Sequence, residues 1–343
     1  MAAVPTQPDE LLADDTLAPY LIAGGFAPPD AEITVRELAG GVSNIVLMAS
    51  WNDETIVVKQ SLPKLRVQAN WNIDRGRLLV ERDCLEFLGN ALTGATPRLV
   101  FCDEVRLVLG MTAAPPGGDL WSEADPGGAM APARIAMAAD LLSRLQRRTV
   151  DDPLVADRFA DLMPLRQGRI EPYHLASAAR HLDVAAAILA DIDRLESTKR
   201  VLVHGDFSPK NLVAYPDRML MLDFEVAHFG DPAFDVAFML SHLVVGSATR
   251  DDVAARRMDA PHRFWDLYAQ GAGPVAAPQA DVVSELGCLL LARVDGKSPM
   301  TYLTVDDDRD RVRRLGRALL LDPPPSVPQA LEVAREMLHA NDA

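Results

Sequence analysis

Three polar residues within VLVHGDFSPKNLVAYPDRMLMLDFEVAHFGDPAFD, residues 201–235, have types and spacing suited to phosphoryl transfer. Asp206 and Asn211 lie five apart on one stretch, and Asp223 closes the next apolar run. A loop carboxylate can accept the proton of a substrate hydroxyl while aligning its oxygen with a γ-phosphate. Asn211 offers a neutral oxygen and Asp223 a charged one, a pair suited to Mg2+ that keeps phosphate and water as its other ligands. His204 reads as a residue that packs this loop, because nothing near it in sequence would partner phosphohistidine chemistry.

Such residues need rigid elements behind them. The apolar runs 201–203 and 219–222 read as strands, and Gly205 and Pro209 impose a loop between them. Upstream, ITVREL (33–38), SNIVLMAS (43–50) and TIVVKQS (55–61) alternate or are β-branched. Gly40 and Gly41, then Asn52 and Asp53, join them into an antiparallel meander. A short helix is expected over 15–25 and a longer one over 76–90, where GRLLVERDCLEFLGN has helical periodicity. PRLVFCDE and VRLVLGMT make a further hairpin. The Pro-, Gly- and acid-rich stretch 112–132 has a linker's composition. Beyond it, helices are expected at 132–148, 174–196, 232–246, 251–271, 279–295, 306–320 and 326–340. The expected division is an N-terminal lobe over 1–112, with 1–15 a mobile arm, and a helical lobe over 113–343.

Composition narrows the classes. The 343 residues carry 34 Lys and Arg against 49 Asp and Glu, a formal charge of −15, which opposes nucleic acid and anionic membranes as partners. No apolar run reaches the ~18–20 residues of a membrane span. Cys84, Cys102 and Cys288 have neither metal nor disulfide spacing, so a reducing, cytoplasmic setting is expected. Apolar segments of the helical lobe leave room for a homodimer.

VHGDFSPKNL followed by MLDFEVAHFGDPAFDVAF closely resembles the catalytic region of the aminoglycoside phosphotransferase-like small-molecule kinases. That superfamily, related to protein kinases, includes aminoglycoside, choline, homoserine, fructosamine and 5-methylthioribose kinases. The resemblance implies an α+β, two-lobed, protein-kinase-like fold. Its small antiparallel sheet lobe carries one main helix, and its larger lobe is mostly helical. It further implies ATP and Mg2+ as cofactors, Asp206 as catalytic base, Asn211 and Asp223 as metal ligands, and Asp235 as an anchor of the catalytic loop. Gly40, Gly41, Ser43 and Asn44 match the nucleotide-binding loop, although on residues alone AGGVSNIV is an ordinary hairpin turn. Lys59 alone would read as an edge lysine. In the family it binds the α- and β-phosphates and is held by a helix glutamate, here Glu81, with Glu86 the alternative. Chain order puts the adenine-holding hinge at 111–113, with Met111 and Ala113.

VVKQSLPKLRVQANWNIDRGRLLVER is similar to 5-methylthioribose kinases, with Trp71, Asp74 and Arg75 in the corresponding loop. LDFEVAHFG adds Glu225, a candidate for ordering a second Mg2+. Arg293 and Lys297 stand where a late basic pair would meet substrate oxygens, or simply favour a helix C-terminus. Trp71, Arg75, Arg293 and Lys297 are therefore the candidate substrate residues. SPKN after HGD and the form NWNIDRG depart from that kinase's pattern. The expected function is phosphorylation of a hydroxyl on a small polar molecule, a 5-methylthioribose-like sugar first and an aminoglycoside or amino sugar second. A nucleotide-binding pseudokinase is disfavoured because base, metal ligands and lysine are all in place, and a protein kinase because no activation segment follows Asp223.

Overall fold

A computed structural model describes residues 11–38, 43–62, 71, 73–121, 132–248 and 258–339. The chain divides into two compact units, Met1–Gly117 and Gly118–Ala343.

The first unit is built on a five-stranded antiparallel sheet in the order β1-β2-β3-β5-β4. Its strands are β1 (Thr34–Glu37), β2 (Asn44–Trp51), β3 (Glu54–Ser61), β4 (Leu99–Asp103) and β5 (Val108–Thr112). Alternation along β2 sends Ile45, Leu47, Ala49 and Trp51 into the core. Asn52 adopts φ +48°, a left-handed conformation that Asn tolerates, and the two-residue turn closes with Trp51 opposite Glu54. Leu17, Tyr20 and Leu21 of the helix Asp14–Ala23 join Leu47, Ala49, Ile56 and Val58 in one apolar cluster. Residues 11–15, expected to belong to a mobile arm, are built into this unit. Leu12 is buried and its N–H donates to Gln60 Oε1 at 2.7 Å. The helix Arg77–Ala91 buries Leu78, Glu81, Cys84, Leu85 and Leu88, the spacing of one helical face.

In the second unit, β6 (Asp119–Leu120) pairs with β8 (Leu212–Ala214), which pairs with β9 (Met219–Met221); β7 (Val201–Val203) pairs with β10 (His228–Gly230). Strand β6 lies inside the stretch whose composition suggested a linker. Trp121 follows it, fully buried, its backbone N–H donating to the Leu212 carbonyl at 2.9 Å. The helix Ala233–Gly246 is buried along nearly its whole length, as a core helix flanked by others must be. The expected helix over 174–196 is instead a π-helix, Arg166–Leu175, and a separate helix, Ala185–Ser197. The break holds His181, whose Nε2 meets Asp295 Oδ2 at 2.8 Å, and Asp183, which pairs with Arg317. The helix expected over 251–271 is described from Asp259 to Ala272; residues 251–257 lie outside the described residues. The three cysteines are free thiols, and among the described residues no helix is long and apolar enough to cross a membrane.

Candidate active site

Strand β7 delivers the chain to His204 and Gly205. Gly205 adopts φ +78°, and a Cβ there would stand 2.5 Å from the Val226 carbonyl oxygen, so only glycine makes this turn without displacing backbone. Asp235, on the first turn of the helix Ala233–Gly246, accepts from the N–H of His204 (2.7 Å) and of Gly205 (2.9 Å). His204 takes the Asp206 N–H on Nδ1 (3.2 Å), which leaves the proton on Nε2, facing the Leu222 carbonyl at 3.0 Å. Burial lowers its pKa to about 4, so it is neutral near pH 7 and ties the turn to the end of β9.

Asp206 is buried between two cations. Lys210 Nζ lies 3.0 Å from Oδ2 and Arg169 Nη2 3.3 Å from Oδ1. Burial alone would raise its pKa, but Lys210 and Arg169 overcome this and hold the carboxyl well below the usual range. Oδ1 is buried and accepts no hydrogen bond among the described residues; its contact with Arg169 is an ion pair, which leaves it with acceptor capacity. Arg169 comes from the π-helix; its Nε donates to the Gly205 carbonyl at 2.7 Å and its Nη1 to that of Gly168 at 2.6 Å. No motif pointed to Arg169, since an arginine in a helical pattern reads as a solvated face. Lys210 stood in plain view within SPKN, four residues from Asp206, the spacing of a helical-turn ion pair.

A single 3-10 turn, Pro209–Asn211, leads into β8. Asn211 Nδ2 donates to the Asp206 carbonyl at 2.9 Å, which leaves Oδ1 for another partner. The Leu222 N–H donates to the Asn211 carbonyl at 2.9 Å, so the residue before Asp223 is bound to Asn211. Asp223 itself is left-handed, φ +71°, and Glu225 is buried two residues on. An amide oxygen and two carboxylates form a hard-oxygen donor set that fits Mg2+.

In the first unit, Lys59 Nζ meets both oxygens of Glu81, at 2.7 and 3.0 Å, with both residues buried. Asn44 is buried opposite Ser61, and the Ser43 carbonyl accepts from the Leu62 N–H at 3.0 Å. Gly40 and Gly41 lie outside the described residues. At the expected hinge, both residues are tied to β3 at the end of β5. Met111 lies inside the ladder opposite both Val57 and Leu99, and the Ala113 N–H is taken by the Thr55 carbonyl at 3.2 Å, so that donor is already committed. Trp71 is buried, and Arg75 Nε donates to the Ser61 carbonyl at 3.1 Å, at the end of β3.

Of the late basic residues, Lys297 is exposed and its N–H donates to the Pro172 carbonyl at 2.9 Å. Arg293 is buried, with Nη1 3.3 Å from the Tyr173 hydroxyl and Nη2 2.7 Å from His242 Nε2.

Comparison with known proteins agrees with this chemistry. The model of the phosphotransferase enzyme family matches residues 34–273. Methylthioribose kinase 1 of Oryza sativa subsp. japonica is 23% identical over 306 residues, covering 75% of this chain and 71% of that protein. Among solved structures, a choline/ethanolamine kinase family protein from Mesorhizobium loti has a TM-score of 0.56 at 15% identity, covering 94% of this chain and 99% of that one. Amicoumacin kinase hAmiN, solved with AMP-PNP, Ca2+ and Ami, has a TM-score of 0.54 at 14% identity, covering 88% of this chain and 91% of its own. At such identities the structural likeness concerns the fold, a small antiparallel sheet unit and a mainly helical one.

Proposed function

Because the chain belongs to the phosphotransferase enzyme family and is a small-molecule kinase, we propose that it transfers the γ-phosphoryl of ATP to a hydroxyl of a sugar-like acceptor. The observation that carries this reading is Asp206, set on a turn only glycine allows, with Oδ1 accepting no hydrogen bond among the described residues and both flanking cations in place.

In this mechanism the acceptor hydroxyl faces Asp206 Oδ1, which takes its proton as the new O–P bond forms. The bond from the γ-phosphorus to the bridging oxygen of ATP breaks, and ADP leaves with that electron pair. Asn211 Oδ1, Asp223 and Glu225 are the groups that would hold Mg2+. When bound, the metal neutralises charge on the β- and γ-phosphates. Lys59, fixed by Glu81, holds the nucleotide's phosphate tail, with Ser43 and Asn44 at the start of the neighbouring strand β2. Lys210 and Arg169 keep Asp206 ionised and oriented until the hydroxyl arrives.

The likeness to the rice kinase makes a 5-methylthioribose-like sugar the first acceptor to assay. The alternative, an aminoglycoside or amino sugar, draws support from the net charge of −15, but two cations beside Asp206 count against a cationic acceptor. Asp206→Asn is expected to lower turnover by about 10^2–10^4-fold. Mg·AMP-PNP affinity, measured by calorimetry, should remain close to that of the wild type. The assay is ADP release with 5-methylthioribose, gentamicin, choline and homoserine as acceptors. Wild-type turnover that survives in Asp206→Asn would overturn the mechanism.

A further inference from the structure

Buried arginines need counter-charges, because an unpaired guanidinium removed from water is costly. In the second unit Arg169 faces Asp206, and Arg311 pairs with Asp307 and Asp308. Arg293 is as buried as these, yet among the described residues no carboxylate lies within ion-pair distance of it. Its partners are a phenol and an imidazole, both neutral acceptors, and its Nε has no acceptor at all. The rings of Phe238 and Tyr173, 4.4 and 5.1 Å from its Cζ, recover part of the lost hydration through their π faces. They supply no negative charge.

The same two rings locate Arg293 relative to the base. Arg169 Cζ lies 5.2 Å from Phe238 and 5.3 Å from Tyr173, so both guanidiniums share one aromatic pair. Arg169 in turn touches Asp206. The surroundings of Tyr173 register this field. Burial would raise its hydroxyl's pKa, but Arg293 and Arg169 lower it below the ordinary value, with Lys210 adding to them and Asp206 opposing. Arg169 and Lys210 are engaged by Asp206. Arg293 is the cation left over.

Resting on the phosphotransferase reading, we propose that the acceptor is an acidic alcohol, a sugar-like molecule bearing a carboxylate or phosphate. Its oxyanion pairs with Arg293 while its hydroxyl faces Asp206. The oxyanion completes the hydrogen bonding of Arg293 and supplies the missing charge. A neutral sugar leaves that charge unanswered, and an ammonium group meets it with repulsion. The transfer step is unchanged; the acid acts in recognition.

The test uses matched acceptors and the full-length protein. D-Glucuronate, D-glucose and D-glucosamine differ in charge on one ring, and ribose 5-phosphate is set against neutral 5-methylthioribose. Binding is measured by calorimetry in the presence of Mg·ADP. The acidic member of each series should bind at least about tenfold tighter than its neutral or amine relative. Arg293→Met and Arg293→Gln should bring that ratio close to one, with Mg·ADP affinity unchanged and the near-UV circular dichroism of the wild type retained. Four results would overturn the proposal. These are no detectable binding of either acid at millimolar concentration, neutral or amine members binding as tightly as acids, unaltered acid preference in both variants, and loss of Mg·ADP affinity with the acceptor series unaffected. The last would assign Arg293 to the nucleotide's phosphates instead. Wild-type charge preference decides the matter even where a variant fails to fold. Failure of the wild type to bind Mg·AMP-PNP would instead count against the kinase reading itself.

Discussion

His228 shows how far burial, helped by Lys199 and Arg169, can move a titrating side chain in this protein. It sits in β10 with Nδ1 3.0 Å from the Val226 carbonyl, and burial lowers its pKa from 6.5 to about 4 against the pull of that hydrogen bond. The unfolded chain therefore binds this proton first as pH falls. Stability supplied by the neutral ring is complete above pH 6.5 and is lost as pH falls through about 4. Urea unfolding should show wild type and His228→Gln furthest apart near pH 7. The gap should shrink by about 3 kcal/mol on going to pH 4. A gap independent of pH would mean that His228 titrates with the same pKa in the folded and the unfolded chain. Other residues differ in how much of their setting can be read in advance. The placement of Asp206 and Asn211 between two short strands was legible, because Gly205, Pro209 and the flanking apolar runs are local signals. Arg169 was not, because its role depends on a carboxylate 37 positions away in the chain. The unpaired state of Arg293 was equally hidden, since sequence records charges but not which of them are answered.

The turn at Gly205 and the π-helix that supports it are the elements on which the site depends. Gly205→Ala meets two penalties at once, a left-handed backbone and a Cβ 2.5 Å from the Val226 carbonyl oxygen. Gly94, at φ +82°, has nothing within 4 Å of its Cβ position, so Gly94→Ala carries the backbone penalty alone. In thermal or urea unfolding, Gly94→Ala should cost about 1 kcal/mol and Gly205→Ala about 2–3 kcal/mol. Only Gly205→Ala should also lower turnover, because the displaced turn carries Asp206. Equal costs at the two positions would show that the Val226 carbonyl gives way freely. The π-helix Arg166–Leu175 is fixed from behind. His174 Nε2 lies 3.2 Å from Glu285 Oε2, while Arg194 binds both Asp191 and Asp231, so the buried acids here have an answering cation. Wide π-helical turns recur at functional sites, and this one presents Arg169 and Tyr173 from a single segment. Periodicity over 174–196 suggested one helix because Ala and Leu recur through the break; the side-chain pairs of His181 and Asp183 that hold it open are tertiary. Strand β6 was obscured in the same way, its two residues embedded among Pro, Gly and acid and ordered by pairing with β8. The meander of the first unit, in contrast, was legible nearly residue by residue, because alternation and the Asn52 turn are local signals.

For the molecule as a whole, a net charge of −15 coexists with a buried carboxylate, Asp206, that is flanked by two cations. Bulk charge therefore speaks to long-range repulsion of polyanions and not to the acceptor. The phosphotransferase reading gives Lys59 and Asp223 separate parts, a phosphate contact for one and a metal-binding charge for the other. Thermodynamic linkage tests this without any acceptor in hand. A ligand that binds only the folded chain at 100 times its Kd stabilises it by about 2.7 kcal/mol, roughly a 4 °C rise in Tm for a protein of this size. Wild type should show that rise with Mg·AMP-PNP and a smaller one with AMP-PNP in EDTA. Asp223→Asn preserves shape and tolerates the left-handed backbone at that position, φ +71°, while removing a metal-binding charge. Its shift should be small and the same with Mg2+ or EDTA. Lys59→Met removes a phosphate contact in either condition, so its shift should fall in both while the difference made by Mg2+ persists. Wild-type shifts in both variants would exclude Lys59 and Asp223 from nucleotide binding. A loss of shift in Lys59→Met alone would separate the nucleotide from the proposed metal ligand, and the metal would then need other oxygens than those of Asn211, Asp223 and Glu225.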